Sequence, residues 1–351
     1  MGDVSDDSRQ GSTPLAAHTT LGLGGPALQT VTAASTEEII AGVRDAVRED
    51  RPLLLLGGGS NVVISDEGFP GLALLIRSSG FAVTYDDGDH VLVRVAAGQP
   101  WDEFVAQTVD QGWSGVECLA GIPGAAGATP IQNVGAYGQD VSQTITEVTV
   151  YDRDEGAVGT FAGDECLFEY RTSRFKHADR WVVLDVTFRL RADSLSGPIA
   201  YAELAKALSV PVGERVPLAT AREAVLALRR GKGMVLDPAD PDTRSVGSFF
   251  TNPILSEAAY QAIAEMAPPA WPMPGGTVKI SAAWLIERAG FSKGYERGPA
   301  RISTKHTLAL TNPGQARTKD LLELAAEIRD GVHDRFGVQL HPEPVLINCT
   351  L

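Results

Sequence analysis

Residues 120 to 138 read Ala-Gly-Ile-Pro-Gly-Ala-Ala-Gly-Ala-Thr-Pro-Ile-Gln-Asn-Val-Gly-Ala-Tyr-Gly. Five glycines and five alanines in nineteen residues leave little side-chain volume. Such a segment cannot fill a core by itself, and it lets another object approach its backbone closely. A flat cofactor is one such object. The alternative is a linker, but Ile122, Ile131, Val134 and Tyr137 are too apolar for a flexible one.

Upstream, Arg51-Pro-Leu-Leu-Leu-Leu runs into Gly57-Gly-Gly-Ser-Asn61 and then Val62-Val-Ile-Ser, which reads strand, glycine loop, strand. Three glycines permit positive φ and can bring consecutive N–H groups onto one concave face that suits a phosphate, with Ser60 and Asn61 adding side-chain donors. No GxxxxGK[ST] is present, and the glycines lead into a strand where a dinucleotide fingerprint would open a helix. A tight β-turn explains the same five residues equally well.

Three further segments carry possible chemistry. Phe168-Glu-Tyr-Arg-Thr-Ser-Arg-Phe-Lys176 sets cations among aromatic rings, either an anion site or mixed charge on a helix surface. In Ser245-Val-Gly-Ser-Phe-Phe-Thr-Asn-Pro253 the Ser248 hydroxyl stands between a glycine and two phenylalanines, and Phe250 replaces the second glycine of a hydrolase elbow. His341-Pro-Glu-Pro344 fixes the backbone around Glu343 and so the direction of its carboxylate. Taken singly, both Ser248 and Glu343 read as structural.

The 351 residues carry 44 acidic and 30 basic side chains, a net charge of −14. That balance argues against nucleic acid or an anionic membrane as partner and leaves room for a local basic pocket. Cys118, Cys166 and Cys349 form no CxxC pair, so neither a disulfide framework nor a thiolate zinc cage is expected, and a reduced cytoplasm fits. The six histidines are scattered, without HExxH, so no metal is expected. Residues 1–14 hold three aspartates and no apolar core and read as a flexible tail rather than a signal peptide. The longest near-apolar stretch, Phe69 to Ile76, is too short to span a membrane.

Length predicts two or three domains. From Leu15 to Ile76 the chain mixes short strands with one helix at Thr36 to Arg48; from Phe81 to Arg191 it reads mostly as strand, including a hairpin through Asp86-Asp-Gly-Asp and a helix from Pro100 to Gln111. From Ser194 onward, helical spacing recurs at 219–230, 256–266, 281–289 and 318–336.

Together and in this order, GGGSN, GIPG…QNVGAYG, FEYRTSRFK, GSFFTNP and HPEP resemble the UDP-N-acetylenolpyruvoylglucosamine reductases, the MurB family of flavoenzymes in peptidoglycan synthesis. The resemblance covers nearly the whole chain after the tail. It implies an α+β protein: a two-subdomain FAD-binding fold of the vanillyl-alcohol-oxidase (PCMH) type at 15–76 and 77–192, and a C-terminal α+β substrate-binding domain at 193–351 whose last residues are candidates to pack back on the first subdomain. It implies non-covalent FAD, with NADPH as co-substrate.

Carried over by position, the resemblance puts the FAD pyrophosphate on Gly57, Gly58, Gly59, Ser60 and Asn61. The flavin and its ribityl chain would lie along Ile122, Pro123 and Gly124, then Ile131, Gln132 and Asn133, then Gly135, Ala136 and Tyr137. Arg171 would stabilise an enolate-like charge, Glu343 would orient the carboxylate end, and Ser248 would supply the proton to the second carbon. Tyr201 matches a substrate-covering tyrosine loop, while Arg229, Lys232 and Asn252 match contacts to the nucleotide of the enolpyruvyl UDP-N-acetylglucosamine substrate. The connection from Lys232 to Ser248 departs from the pattern: it is a few residues longer than expected and carries three aspartates, Asp237, Asp240 and Asp242. The implied protein is cytoplasmic, a monomer or weak dimer, and serves cell-wall biogenesis. Two other readings use the same residues. One is an oxygen-using FAD oxidase, though no histidine for a flavin link lies in or next to 57–61 or 122–137; the other is a nucleotide-sugar-binding module without turnover.

Overall fold

Two sheets, one parallel and one antiparallel, are bridged by a single amphipathic helix, and a third body closes against them. The structure, a computed structural model, describes residues 13–351, so residues 1–12 of the expected tail lie outside the described residues.

The parallel sheet has the order Ala27–Ala33, Phe69–Ile76, Leu53–Leu56. Its crossover helix is Thr36–Arg48. Ser35 caps it by accepting from the Glu38 N–H at 3.2 Å, while the Glu38 carboxylate accepts from the Ala34 N–H, a reciprocal cap. The helical period buries Ile39, Val43 and Ala46 on one face. The Arg44 Nε of this helix reaches the Tyr151 hydroxyl of the next sheet at 3.1 Å.

The antiparallel sheet runs Ala157–Ala162, Ile145–Asp152, Trp181–Ala192, His90–Ala96, Phe81–Asp86, with Trp113–Ser114 pairing the end of the long central strand. The hairpin turn is set by the Asp87 carboxylate, which accepts from the N–H groups of Asp89 and His90. Helix Trp101–Asp110 buries Trp101 and Phe104 beside Phe188, with ring centroids 5.5–5.8 Å apart. Helices Ala202–Leu208 and Leu218–Gly231 contribute Leu204, Ala221 and Val225 to this same core.

The last third builds a separate core around the helix Thr318–Phe336, the three-stranded sheet Ile254–Ser256, Thr277–Ile280, Ala270–Met273, and a small sheet of Glu296–Arg297, Ala300–Ile302 and Leu310–Thr311. Three long-range ties join it to the parallel-sheet body. The Asp66 carboxylate accepts from the N–H groups of Thr318 and Lys319 at 2.9 and 3.0 Å, capping the long helix from 252 residues away. The Thr318 hydroxyl donates to the Ile64 carbonyl, and Val345–Ile347 pairs in parallel with Val62–Ile64. Among the described residues no helix is long and apolar enough to cross a membrane, and no group of three or more His, Cys, Asp and Glu could hold a metal ion.

Candidate active site

Strand Leu53–Leu56 delivers the glycine loop to the seam between the two sheets. Arg77 Nη1 takes the Gly57 carbonyl at 2.9 Å and the Leu56 carbonyl at 3.3 Å, which turns the carbonyl side of the loop inward. None of the N–H groups of Gly57 to Asn61 donates to a backbone carbonyl of the described residues. Only Gly59 of the five is buried, and an unpaired row of amides at a cavity wall suits an anionic ligand.

The side chains behave differently from the sequence expectation. The Ser60 hydroxyl donates to the Pro123 carbonyl at 2.9 Å and the Asn61 amide donates to the Gln132 Oε1 at 2.8 Å, so both tie the loop to the second glycine-rich segment. At their closest approach a Cβ on Gly58 would stand 2.5 Å from the Gly124 Cα.

The seam opens into one cavity of about 640 Å³, within the range of small-molecule sites. Gly57 to Asn61 line it, as do Ile122, Pro123, Gly124, Ile131, Gln132, Gly135 and Ala136. Arg171, Ser248, Glu343 and Arg229 reach the same space.

Their convergence follows from three backbone links. The Glu343 N–H donates to the Phe249 carbonyl at 2.8 Å, the Val345 N–H to the Asn61 carbonyl at 2.9 Å, and Ser248 bridges Ala309. The HPEP segment therefore lies between the GSFF segment and the glycine loop, which brings residues nearly 300 positions apart to one wall.

Residues 168–176 form no helix, which removes the helix-surface reading. Arg171 sits at φ +56, and Lys176 Nζ donates to its carbonyl at 2.8 Å, folding the segment back on itself. The guanidinium donates to the Gly135 carbonyl at 3.0 Å, and its Nε lies 3.1 Å from Glu343 Oε1, an ion pair without hydrogen-bond alignment.

Burial pushes the Glu343 carboxyl above the usual glutamate range, against the opposing pull of Arg171 and Lys176. A carboxyl raised by folding keeps its proton in the folded state when the unfolded chain has lost it. This group therefore lowers stability as pH rises from about 4.5 towards its folded value. The melting temperature of Glu343→Gln relative to wild type should increase with pH across that window, followed by thermal melts; a pH-independent difference would refute the assignment.

Two domain models match the chain: "FAD binding domain" over residues 27–161 and "UDP-N-acetylenolpyruvoylglucosamine reductase, C-terminal domain" over residues 238–347. The UDP-N-acetylenolpyruvoylglucosamine reductase of Salinispora arenicola is 61% identical over 346 residues, covering 96% of this chain and 95% of the relative. The chain belongs to the UDP-N-acetylenolpyruvoylglucosamine reductase family. The reductase of Thermobifida fusca is 60% identical, covering 96% of this chain and 98% of its own. The crystal structure of the reductase (MurB) from Thermus caldophilus superposes with a TM-score of 0.62 at 26% identity, over 96% of this chain and 98% of that one. The fold is accordingly a PCMH-type FAD-binding unit followed by the family's C-terminal domain, and the protein is an FAD-type oxidoreductase.

Within this reductase fold, five of the expected residues, Asn133, Tyr137, Tyr201, Lys232 and Asn252, are not among those lining the cavity, whereas Arg229 is. Asn133 is buried, with its side chain accepting from the Ser142 N–H and donating to the Glu169 carbonyl, so it braces the segment before Arg171. Tyr137 packs edge-on against Tyr201 at 5.5 Å, with the Lys232 ammonium 5.6 Å from its ring centre. Lys232 pairs with Glu203 at 2.6 Å. Asn252 accepts from the Ala282 N–H at 2.9 Å, capping a helix start. Arg229 is buried, donates to the Met234 carbonyl and keeps an Nε with no partner, a cation desolvated beside the cavity.

The cavity also takes Arg153, Lys176, His177 and Met234, which the sequence reading did not assign to the site. Of these only Lys176 carried a signal, as the last residue of the FEYRTSRFK motif.

Proposed function

We propose that this chain is the NADPH-dependent reductase of the enolpyruvyl ether of UDP-N-acetylglucosamine, forming UDP-N-acetylmuramate for peptidoglycan precursors in the cytoplasm. The observation that carries the proposal is the meeting of Arg171, Ser248 and Glu343 in one cavity with an unpaired row of glycine-loop amides.

The residues present fit FAD: the amides of 57–61 suit its pyrophosphate, and the small-residue wall at 122–136 accepts a flat ring. When bound, FAD supplies the acceptance of hydride from NADPH and its donation to the enolpyruvyl methylene carbon. The chain supplies field, geometry and a proton. Arg171, anchored by the Gly135 carbonyl, faces the negative charge that develops on the substrate's second carbon and its carboxylate. Glu343, 3.1 Å from that guanidinium, helps to orient and polarise the carboxylate end of the substrate. Ser248 donates its hydroxyl proton to the second carbon, which completes the reduced lactyl ether. Arg229, Lys232 and Tyr201 are assigned to the nucleotide diphosphate, and Asn252 to a further polar contact with the nucleotide. Arg229 and Lys232 both lie near Tyr137, which sets two cations together in an acidic protein, Lys232 being paired with Glu203.

The purified protein should be yellow with non-covalent FAD. Anaerobic NADPH should bleach the flavin band, and the enolpyruvyl nucleotide should restore it. A colourless protein that cannot be reconstituted, or bleaching that the nucleotide does not reverse, would overturn the proposal.

A further inference from the structure

The acidic connection between Lys232 and Ser248 has no part in the chemistry described above, yet it is braced more closely than a surface loop needs. Its turn is self-contained at the start. The Thr243 hydroxyl donates to the carbonyls of Asp237 and Asp240, and the Asp237 N–H donates back to that hydroxyl. Asp240 pairs with Lys305. Asp242 is only 3% exposed, and its carboxylate accepts from the Thr304 hydroxyl, from the Thr304 N–H at 3.2 Å and from Arg301 Nη2 at 3.4 Å.

Those partners lie on the 301–309 hairpin, which also fixes Ser248. The Phe249 N–H donates to the Leu308 carbonyl at 2.7 Å, and Ser248 bridges Ala309. The hairpin turn is itself rigid. Ser303 is fully buried, its hydroxyl accepts from the Lys305 and His306 N–H groups, and its N–H donates to the Ala309 carbonyl at 2.8 Å. Burial pushes His306 down to about 4, with the nearby Lys232 and Lys293 adding to the shift, so the turn stays free of a titrating charge.

Residues 242 to 248 thus form an arc pinned at both ends to one hairpin, with Thr243, Ser245, Val246 and Gly247 along the cavity wall between the pins. At its middle a tie to the parallel-sheet body, the Thr20 hydroxyl donating to the Ser245 carbonyl at 2.6 Å, sets its height over the cavity.

We propose that Asp242 is a positioning residue for Ser248: its bonds to Thr304 and Arg301 fix the arc that aims the Ser248 hydroxyl into the cavity. This rests on the reading of Ser248 as proton donor. With the far pin released, the arc keeps the Ser248 end, the Thr20 tie and the Asn312 N–H on the Arg244 carbonyl at 3.1 Å, and it loses the buried carboxylate that anchors its start. A displacement near 1 Å at a reacting group costs on the order of 100-fold in rate. The loss falls on proton delivery to the substrate, because hydride uptake from NADPH does not use the serine.

The test uses the flavin-loaded, full-length enzyme in stopped flow, with Asp242→Ala and the milder Thr304→Val. Flavin reduction by NADPH should stay within about twofold of wild type, while reoxidation by the enolpyruvyl nucleotide should fall by about 10–100-fold in Asp242→Ala and by less in Thr304→Val. Adding Asp242→Ala to Ser248→Ala should slow reoxidation no further, because there is no hydroxyl left to aim. Equal loss of both half-reactions, additive effects in the double variant, or unchanged reoxidation would overturn the positioning role. Where Asp242→Ala does not fold, Thr304→Val alone decides between the same outcomes. If Ser248→Ala itself leaves reoxidation fast, the proton-donor reading fails and takes this proposal with it; if it slows reoxidation and Asp242→Ala does not, only the positioning role fails.

Discussion

Ser248→Ala should slow reoxidation of the reduced flavin by the enolpyruvyl nucleotide by about 10²–10⁴-fold, the range for a lost general acid, and leave flavin reduction by NADPH unchanged. A hydroxyl is a weak acid in water, but an enolate-like carbon is a strong base, so placement and dryness matter more here than matched pKa values. The structure provides both. Phe249 and Phe250 are 0% and 1% exposed, which keeps water from one side of the serine. The main chain is held on its two edges, by the Ala309 bridge and by the Glu343 N–H on the Phe249 carbonyl. Alanine keeps all of these backbone bonds and removes only the proton. The two half-reactions can be followed separately at the flavin band in stopped flow. Equal slowing of both would show that the substitution had disturbed the flavin environment and would remove Ser248 from its assigned role.

Those features were unevenly legible. The five motifs could be found because each is a local statement: glycines that need close approach, prolines that fix a carboxylate, a serine beside two large rings. Their convergence was legible only through the family resemblance, because it depends on links such as Val345 to Asn61 and Glu343 to Phe249 that join distant residues. The same limit hides the bonds that Ser60 and Asn61 make to Pro123 and Gln132, 63 and 71 residues away. The helix-surface alternative for 168–176 failed on backbone geometry: a left-handed arginine closed by a lysine five residues on leaves no visible trace in hydrophobic period. The acidic connection looked anomalous for a related reason. Two of its carboxylates, Asp242 and Asp240, are paired with Arg301 and Lys305, and Asp242 also accepts from Thr304, residues that lie 59 to 65 positions further along the chain. The strands and helices fared better, since the apolar spacing of 36–48 and 318–336 is a local property that burial of Ile39, Val43, Leu321 and Leu324 then uses.

The glycines of the first loop should separate sharply when each is replaced by alanine. A Cβ on Gly57 would lie 3.4 Å from the Ala125 Cβ, close to an ordinary contact, so Gly57→Ala should retain FAD. A Cβ on Gly58 would lie 2.5 Å from the Gly124 Cα, backbone against backbone, and relief requires the two glycine-rich segments to part. At Gly59 two costs combine. Its φ of +63 is a left-handed conformation that costs an L-residue about 1–2 kcal/mol, and its Cβ would meet the His18 carbonyl oxygen at 1.9 Å. The carbonyl cannot yield alone, because the loop is fixed there by the Thr20 N–H donating to the Gly59 carbonyl at 3.1 Å. Gly58→Ala and Gly59→Ala should therefore each lower FAD affinity by more than about tenfold, equivalent to about 1.4 kcal/mol, with Gly59→Ala also lowering the melting temperature of the apoprotein. The ratio of flavin to protein absorbance after gel filtration, together with apoprotein melts, measures both effects. Full FAD occupancy in Gly59→Ala, or a loss in Gly57→Ala as large as in Gly58→Ala, would mean that steric approach between the loops does not set the site, and that the unpaired amides alone are what bind the cofactor.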